Sequence, residues 1–193
     1  RELAGADKLN MTLLALNLSG YHNGVTKAHT KHSLKLFPHY AIRAITNGVH
    51  SNTWTSLSFH KLFDKYIPGW ASEPELLVKV DKVPNCEIWG AHVQNKKNLL
   101  SYVEEKTGES LVEDTLTLGF ARRATGYKRA KLIFSDLNRL REINKMRPLQ
   151  LIFAGKAHLR DTSGKDLIRE IFWYKKELKD DVKVVYLENY DMQ

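Results

Sequence analysis

The chain has 193 residues, with 30 Lys and Arg against 22 Asp and Glu, which leaves a net charge of +8 and a pI near 9.5. At 42% hydrophobic and 27% charged residues it has the composition of a globular protein, which excludes a disordered or collagen-like chain. One cysteine, Cys86, excludes an internal disulfide and a CxxC zinc pair, and no 18-residue apolar run marks a membrane span. The first ten residues are polar and charged, unlike a signal peptide, so the chain is expected to be cytoplasmic. It begins at Arg1 and reaches its first methionine at Met11, the expectation for an internal piece of a longer protein.

In chain order, residues 10–19 carry an apolar helical core, Leu13, Leu14, Ala15 and Leu16, ended by Gly20. Asn23-Gly24 reads as a turn and residues 25–36 as the next helix. Residues 41–46 read as a short strand before a second Asn-Gly turn, Asn47-Gly48. Beyond Trp54 the chain is helical again, and residues 84–106 read as one long helix with Ile88, Ala91, Leu99 and Val103 inward, closed by Gly108. Residues 109–114 then read as a linker, dividing a helix-rich part, 1–113, from an α/β part, 114–193.

In the second part Leu116, Leu118 and Phe120 alternate with Thr115, Thr117 and Gly119, as on a strand. After a glycine-containing turn, Leu132, Ile133, Leu137, Leu140 and Ile143 recur at helical spacing until Pro148. Residues 149–154 are a continuous apolar run of buried-strand type. Residues 163–178 read as a second helix with Leu167, Ile168, Ile171 and Phe172 on one face, and 182–187 as a third strand. Strand, helix, strand, helix, strand is half of a doubly wound parallel sheet, so the fold class is α/β.

Charge is concentrated on that unit. Residues 115–135 hold no acid but carry Arg122, Arg123, Lys128, Arg129 and Lys131, +5 of the net +8. Either the block is a basic helix face or it has an anionic partner. It follows the first strand, where open α/β sheets collect ligands and where helix amides favour an anion. There Arg123 can clamp a phosphate with its planar fork, Lys128 can add a compact charge from the first helical turn, and Gly126 lets backbone come close. Neither GxxxxGK[ST] nor GxGxxG is present, and His29 and His32, one helical turn apart, lack a further ligand for a metal. Nucleic-acid binding, with Tyr127 and the four tryptophans for stacking, stays open on charge, although the basic block is short.

Five strings in order narrow the choice. Asn23-Gly24-Val25-x-x-x-His29, Ile45-Thr46-Asn47-Gly48-Val49-His50-x-x-x-Trp54, Arg122-Arg123-x-x-x-Tyr127-Lys128-Arg129, Gly155-Lys156-Ala157 and Leu187-Glu188-Asn189-Tyr190 together resemble segments of the α-glucan (glycogen, starch) phosphorylases. The wording of residues 120–129, with Asn189-Tyr190-Asp191-Met192, is most similar to the shorter bacterial and archaeal branch.

The resemblance implies a central fragment of a two-domain GT-B-type glycosyltransferase: the helical end of the first Rossmann-like domain, residues 1–113, and the βαβαβ start of the second, residues 114–193. It implies retaining phosphorolysis of terminal α-1,4-linked glucose to glucose 1-phosphate, with pyridoxal phosphate as cofactor. By motif position, Arg123 and Lys128 would bind the substrate phosphate, Arg122 the cofactor phosphate, and Tyr127, Asn23 and Gly24 the sugar. Implied partners are α-1,4-glucan and inorganic phosphate, with no metal, nucleic acid or membrane, and room for a homo-oligomer in the parent. The sequence also departs from the family pattern. Gly20 stands where a sugar-contacting histidine is common, Thr125 stands where longer enzymes carry histidine, and the Schiff-base lysine is expected beyond Gln193, so the fragment alone is expected to be inactive. A nucleotide-sugar-dependent glucan synthase of the same fold and a non-catalytic polyanion- or glucan-binding module are the alternatives.

Overall fold

A computed structural model describes residues 2–5 and 8–188 of the chain. Two compact units emerge, Arg1–Thr53 and Trp54–Gln193, and each is built around parallel strands.

In the first unit, helix α1 (Met11–Leu18) starts where the Asn10 side chain accepts hydrogen bonds from the amides of Thr12 and Leu13, at 3.0 and 3.1 Å. Strand β1 (His22–Gly24), helix α2 (Lys27–Leu36) and strand β2 (Ile42–Ala44) follow. Thr26 caps α2 by accepting from the His29 amide at 2.9 Å. The two strands are parallel, and their pairing runs on through Ile45 N–H to Gly24 O at 2.9 Å and Asn47 N–H to Val25 O at 3.1 Å. Asn23-Gly24 is therefore strand and not the expected turn. Gly24 serves packing instead: it is buried, and a Cβ there would stand 2.3 Å from Thr30 Oγ1 on α2. Parallel strands need a crossover, and α2 supplies it only by lying close against β1.

Helix α3 (Ser51–Trp54) stands at the division between the units. In the second unit, α4 (Leu57–Tyr66) packs on α5 (Asn85–Thr107) around Leu62, Ile67, Trp70 and Val83. The indole of Trp70, fully buried, keeps its polar atom paired by donating to Asp64 Oδ1 at 2.9 Å. Gly108, in the left-handed conformation at φ 70°, ends α5 as expected. Strands β3 (Leu116–Ala121), β4 (Leu149–Ala154) and β5 (Lys183–Leu187) form a parallel sheet in the order β3-β4-β5. Its connections pass through α6 (Leu137–Met146) and α7 (Thr162–Glu177), whose Leu140, Leu167 and Ile171 pack on Leu149, Leu151, Phe153, Val184 and Tyr186. On the opposite face, Leu100 and Val103 of α5 pack on Ile152, Ala154, Val185 and Leu187.

Several expected inward residues lie outward. Leu99 is exposed and Leu100 takes its place, because α5 serves two neighbours along its length: Ile88 and Ala91 face the α4 core, whereas Leu100 and Val103 face the sheet. Leu116 and Leu118 are exposed because β3, among the described strands, pairs with β4 alone. Phe172 is likewise exposed. The single helix expected over 132–143 is broken. Residues Gly126–Lys128 and Ala130–Phe134 are 3-10 turns separated by Arg129 at φ 56°, and α6 begins only after Asp136, which caps it through the Arg139 amide at 2.9 Å.

One buried polar side chain ties the segment before β3 to the sheet. Gln150, on β4, accepts from Val112 N–H at 2.9 Å and donates to Val112 O and Thr117 Oγ1, both at 2.8 Å. Gln150→Leu would leave Val112 N–H without its acceptor and Val112 O with Thr115 N–H alone, at 3.3 Å, so we expect a loss of about 2 kcal/mol, read as a lower urea midpoint at unchanged m-value. An unchanged midpoint would show that water takes over these bonds.

Candidate functional site

The carboxyl ends of the three strands lie side by side, and the ladder continues past them. Arg122 N–H donates to Ala154 O at 3.0 Å, Ala124 N–H to Lys156 O at 3.3 Å, and Gly155 N–H to Leu187 O at 3.3 Å. These bonds hold the loop after β3 against the loop after β4. The contact at Gly155 is too close for any side chain: at φ 153°, a Cβ would lie 2.1 Å from Arg122 O. From below, the buried Tyr186 hydroxyl donates to Gly155 O at 2.9 Å. Burial first, and then the charge of Glu188, raise the Tyr186 pKa above the ordinary 10.0.

The β3 loop thus presents Arg122, Arg123, Tyr127 and Lys128 from one short, braced segment. Thr125 is its backbone centre, donating its N–H to Arg123 O at 2.9 Å and accepting from Lys128 N–H at 3.1 Å. Arg122, Arg123 and Arg129 are exposed, Lys128 is half-buried, and none of the four has an acidic partner among the described residues. Lys131, counted with them in the sequence, is different: it pairs with Glu170, and that hydrogen bond raises its pKa. Tyr127 is 77% exposed and lies under Lys128, whose Nζ is 4.8 Å from the ring centroid.

The expected helix contribution to this site is corrected. Lys128 sits in a 3-10 turn, not in the first turn of an α-helix. Asp136 caps α6, and Asp161 caps α7 by accepting from Gly164 N–H at 2.9 Å. That bond, with a second from the Ser163 hydroxyl, lowers the Asp161 pKa. Both helix starts are therefore already matched by carboxylates, and positive potential at the strand ends comes from side chains. Lys156, exposed on the adjoining loop, adds a cation whose place beside the β3 loop only the ladder bond from Ala124 N–H reveals.

Asn23 and Gly24 belong to the first unit, Asn23 exposed at the middle of β1 and Gly24 buried at its end. His29 and His32 are both exposed, and among the described residues no group of three or more His, Cys, Asp or Glu is placed to hold a metal. No described helix is long and apolar enough to cross a membrane. The expected strand-end motif at Asn189 and Tyr190 lies outside the described residues, as do Asp191 and Met192. Beside the loop, a groove of about 1190 Å³ runs between α5 and the sheet, lined by Trp89, His92, Leu99 and Tyr102 and by the strand ends Ala121, Ala154 and Leu187.

A sequence profile of the carbohydrate phosphorylases matches residues 2–193. The chain belongs to the carbohydrate phosphorylase family. It is 36% identical over 213 aligned positions to the maltodextrin phosphorylase of Thermococcus litoralis, covering 96% of this chain and 26% of that one. It is 34% identical to the glycogen phosphorylase of Aquifex aeolicus, covering 96% and 31%, and 30% identical to that of Mycobacterium tuberculosis, covering 96% and 25%. The chain thus spans between a quarter and a third of the length of these phosphorylases. Their archaeal and bacterial sources agree with the branch that the motif wording indicates.

Two substitutions probe the brace under the loop. Gly155→Ala forces Arg122 O away, and we expect a loss of about 2 kcal/mol in urea unfolding. Tyr186 has its pKa raised, so its stabilising part is complete below pH 10.0 and disappears as pH climbs through its own, higher value. We expect alkaline destabilisation to be shallower in Tyr186→Phe, followed by circular dichroism against pH. An identical alkaline profile would mean that Tyr186 does not couple to folding.

Proposed function

We propose that this chain forms the phosphate-handling part of an α-glucan phosphorylase, which releases terminal α-1,4-linked glucose as glucose 1-phosphate with retention. The observation that carries the reading is the loop at the strand ends, which a parallel ladder and Gly155 hold in place with its cations free of acidic partners among the described residues. In this reading residues 114–193 open the second Rossmann-like domain of a GT-B-type enzyme, and the activity belongs to a chain of the relatives' length. The 193 residues alone are expected to form no glucose 1-phosphate. The work of the whole enzyme is cytoplasmic, on glucan and inorganic phosphate.

The roles follow from charge and shape. Arg123 offers a planar pair of N–H donors to two oxygens of inorganic phosphate, and Lys128 a compact charge to a third. Both lower the cost of bringing a dianion to the strand ends before any bond changes. Tyr127, exposed beside Lys128, offers a ring face and hydroxyl to the sugar. Pyridoxal phosphate fits the donor set, since Arg122 is an exposed guanidinium without an acidic partner among the described residues and can hold the cofactor's phosphate. When bound, that phosphate supplies a group able to exchange a proton with the substrate phosphate. Arg122 and Arg123, adjacent in sequence, then keep two phosphates close despite their repulsion.

In a full-length phosphorylase containing these residues, Arg123→Ala and Lys128→Ala are each expected to lower kcat/KM for phosphate by about a hundredfold or more, with glucan affinity and thermal midpoint little changed. The check is glucose 1-phosphate release from maltodextrin, without nucleotide. Wild-type rates in both variants would remove the assignment, and dependence on a nucleotide sugar would favour the synthase.

A further inference from the structure

At the centre of the loop one polar atom is left over. Thr125 Oγ1 is buried and has no hydrogen-bond partner among the described residues. The backbone of the same residue is fully engaged, its N–H with Arg123 O at 2.9 Å and its carbonyl with Lys128 N–H at 3.1 Å. Thr125 is thus bonded to the two residues assigned to the substrate phosphate, and its neighbour Ala124 is buried against the core under α7. The residue is held in extended geometry, φ −132° and ψ 143°, which leaves χ1 rotation as the smallest movement that turns the hydroxyl out. A hydroxyl withdrawn from water without an acceptor is unfavourable, and the oxygen of a bound anion would relieve that cost.

We propose that the Thr125 hydroxyl is a further phosphate ligand of this loop: unpartnered in the empty chain, it donates to an oxygen of inorganic phosphate when Arg123 and Lys128 hold that ion. The proposal rests on the reading of the loop as a phosphate site and adds a neutral donor to its cations. A neutral donor at this place favours an ion with a free oxygen directed into the loop, and it contributes without adding charge repulsion among the neighbouring guanidinium groups. Its signature is an opposition of signs. Removing the hydroxyl stabilises the empty chain, because a buried unpaired group disappears, and weakens phosphate binding, because a donor disappears.

The test uses the 193-residue chain, with inorganic phosphate titrated by calorimetry and thermal midpoints measured without phosphate. Thr125→Val, which keeps shape and β-branching, is expected to raise the midpoint by about 2–4 °C and to weaken phosphate roughly tenfold or more. Thr125→Ser, which keeps the hydroxyl, is expected to bind phosphate as the wild type does, and Arg123→Ala to lose binding. Phosphate affinity lost in Arg123→Ala and unchanged in Thr125→Val overturns this assignment alone. A lowered midpoint in Thr125→Val also overturns it, since the hydroxyl would then have a partner in the empty chain. Wild-type affinity in Arg123→Ala, or no saturable binding by the wild type, overturns the phosphate-loop reading and this assignment together.

Discussion

Strand β4 is the constraint on which the second unit depends. All six of its residues are buried, it pairs on both edges, and it receives α5 on one face and the α6–α7 layer on the other. Fully burying each large apolar side chain there contributes on the order of 1.5–3 kcal/mol, and a shift of one residue would turn every one of them to the opposite face. The register is therefore fixed, and with it the place where Ala154 O meets Arg122 N–H. The β3 loop inherits its position from this pairing. Gly155 then lets the two loops touch at a distance that no side chain would allow.

The same arrangement separates charge. The acids nearest the helix starts, Asp136 and Asp161, are used as caps, and Glu170 takes Lys131. At the strand ends Arg122, Arg123, Lys128 and Arg129 are left without an ion pair among the described residues, and Glu188, just after β5, is the acid that follows the third strand. An anion arriving there meets donors that need little reorganisation, which is where an enzyme gains most from electrostatics. The fold supplies this without a helix N-terminus, since α6 begins eight residues beyond Arg129 and is already capped.

Legibility in the sequence followed the number of neighbours each element has. Strand β4 was plain as an unbroken apolar run because both its faces are covered, and the end of α5 was written in Gly108, whereas the caps Asn10, Thr26 and Asp161 emerged only with the structure. The loop cations stood out because no acid interrupts them over residues 115–135. Periodicity failed where an element serves two partners or lacks one. Leu99 and Leu100 exchange places on α5, and Leu116 and Leu118 lie open on β3. Asn23-Gly24 misled because the same dipeptide suits a turn and a close helix–strand contact, and only the parallel partner β2 distinguishes them.

By itself the sequence determined the α/β class, the order of strands and helices in residues 114–193, and the family, through side-chain chemistry strung along the chain at set spacings. Tertiary structure decided which of those side chains act together. Lys131 left the cation group because Glu170, far along the chain, comes within reach of it, and Lys156 joined because Ala124 bonds to its carbonyl. Thr125 became notable only through what surrounds it, since whether a hydroxyl lacks a partner depends on every atom packed against it and cannot be read from the residues beside it in sequence.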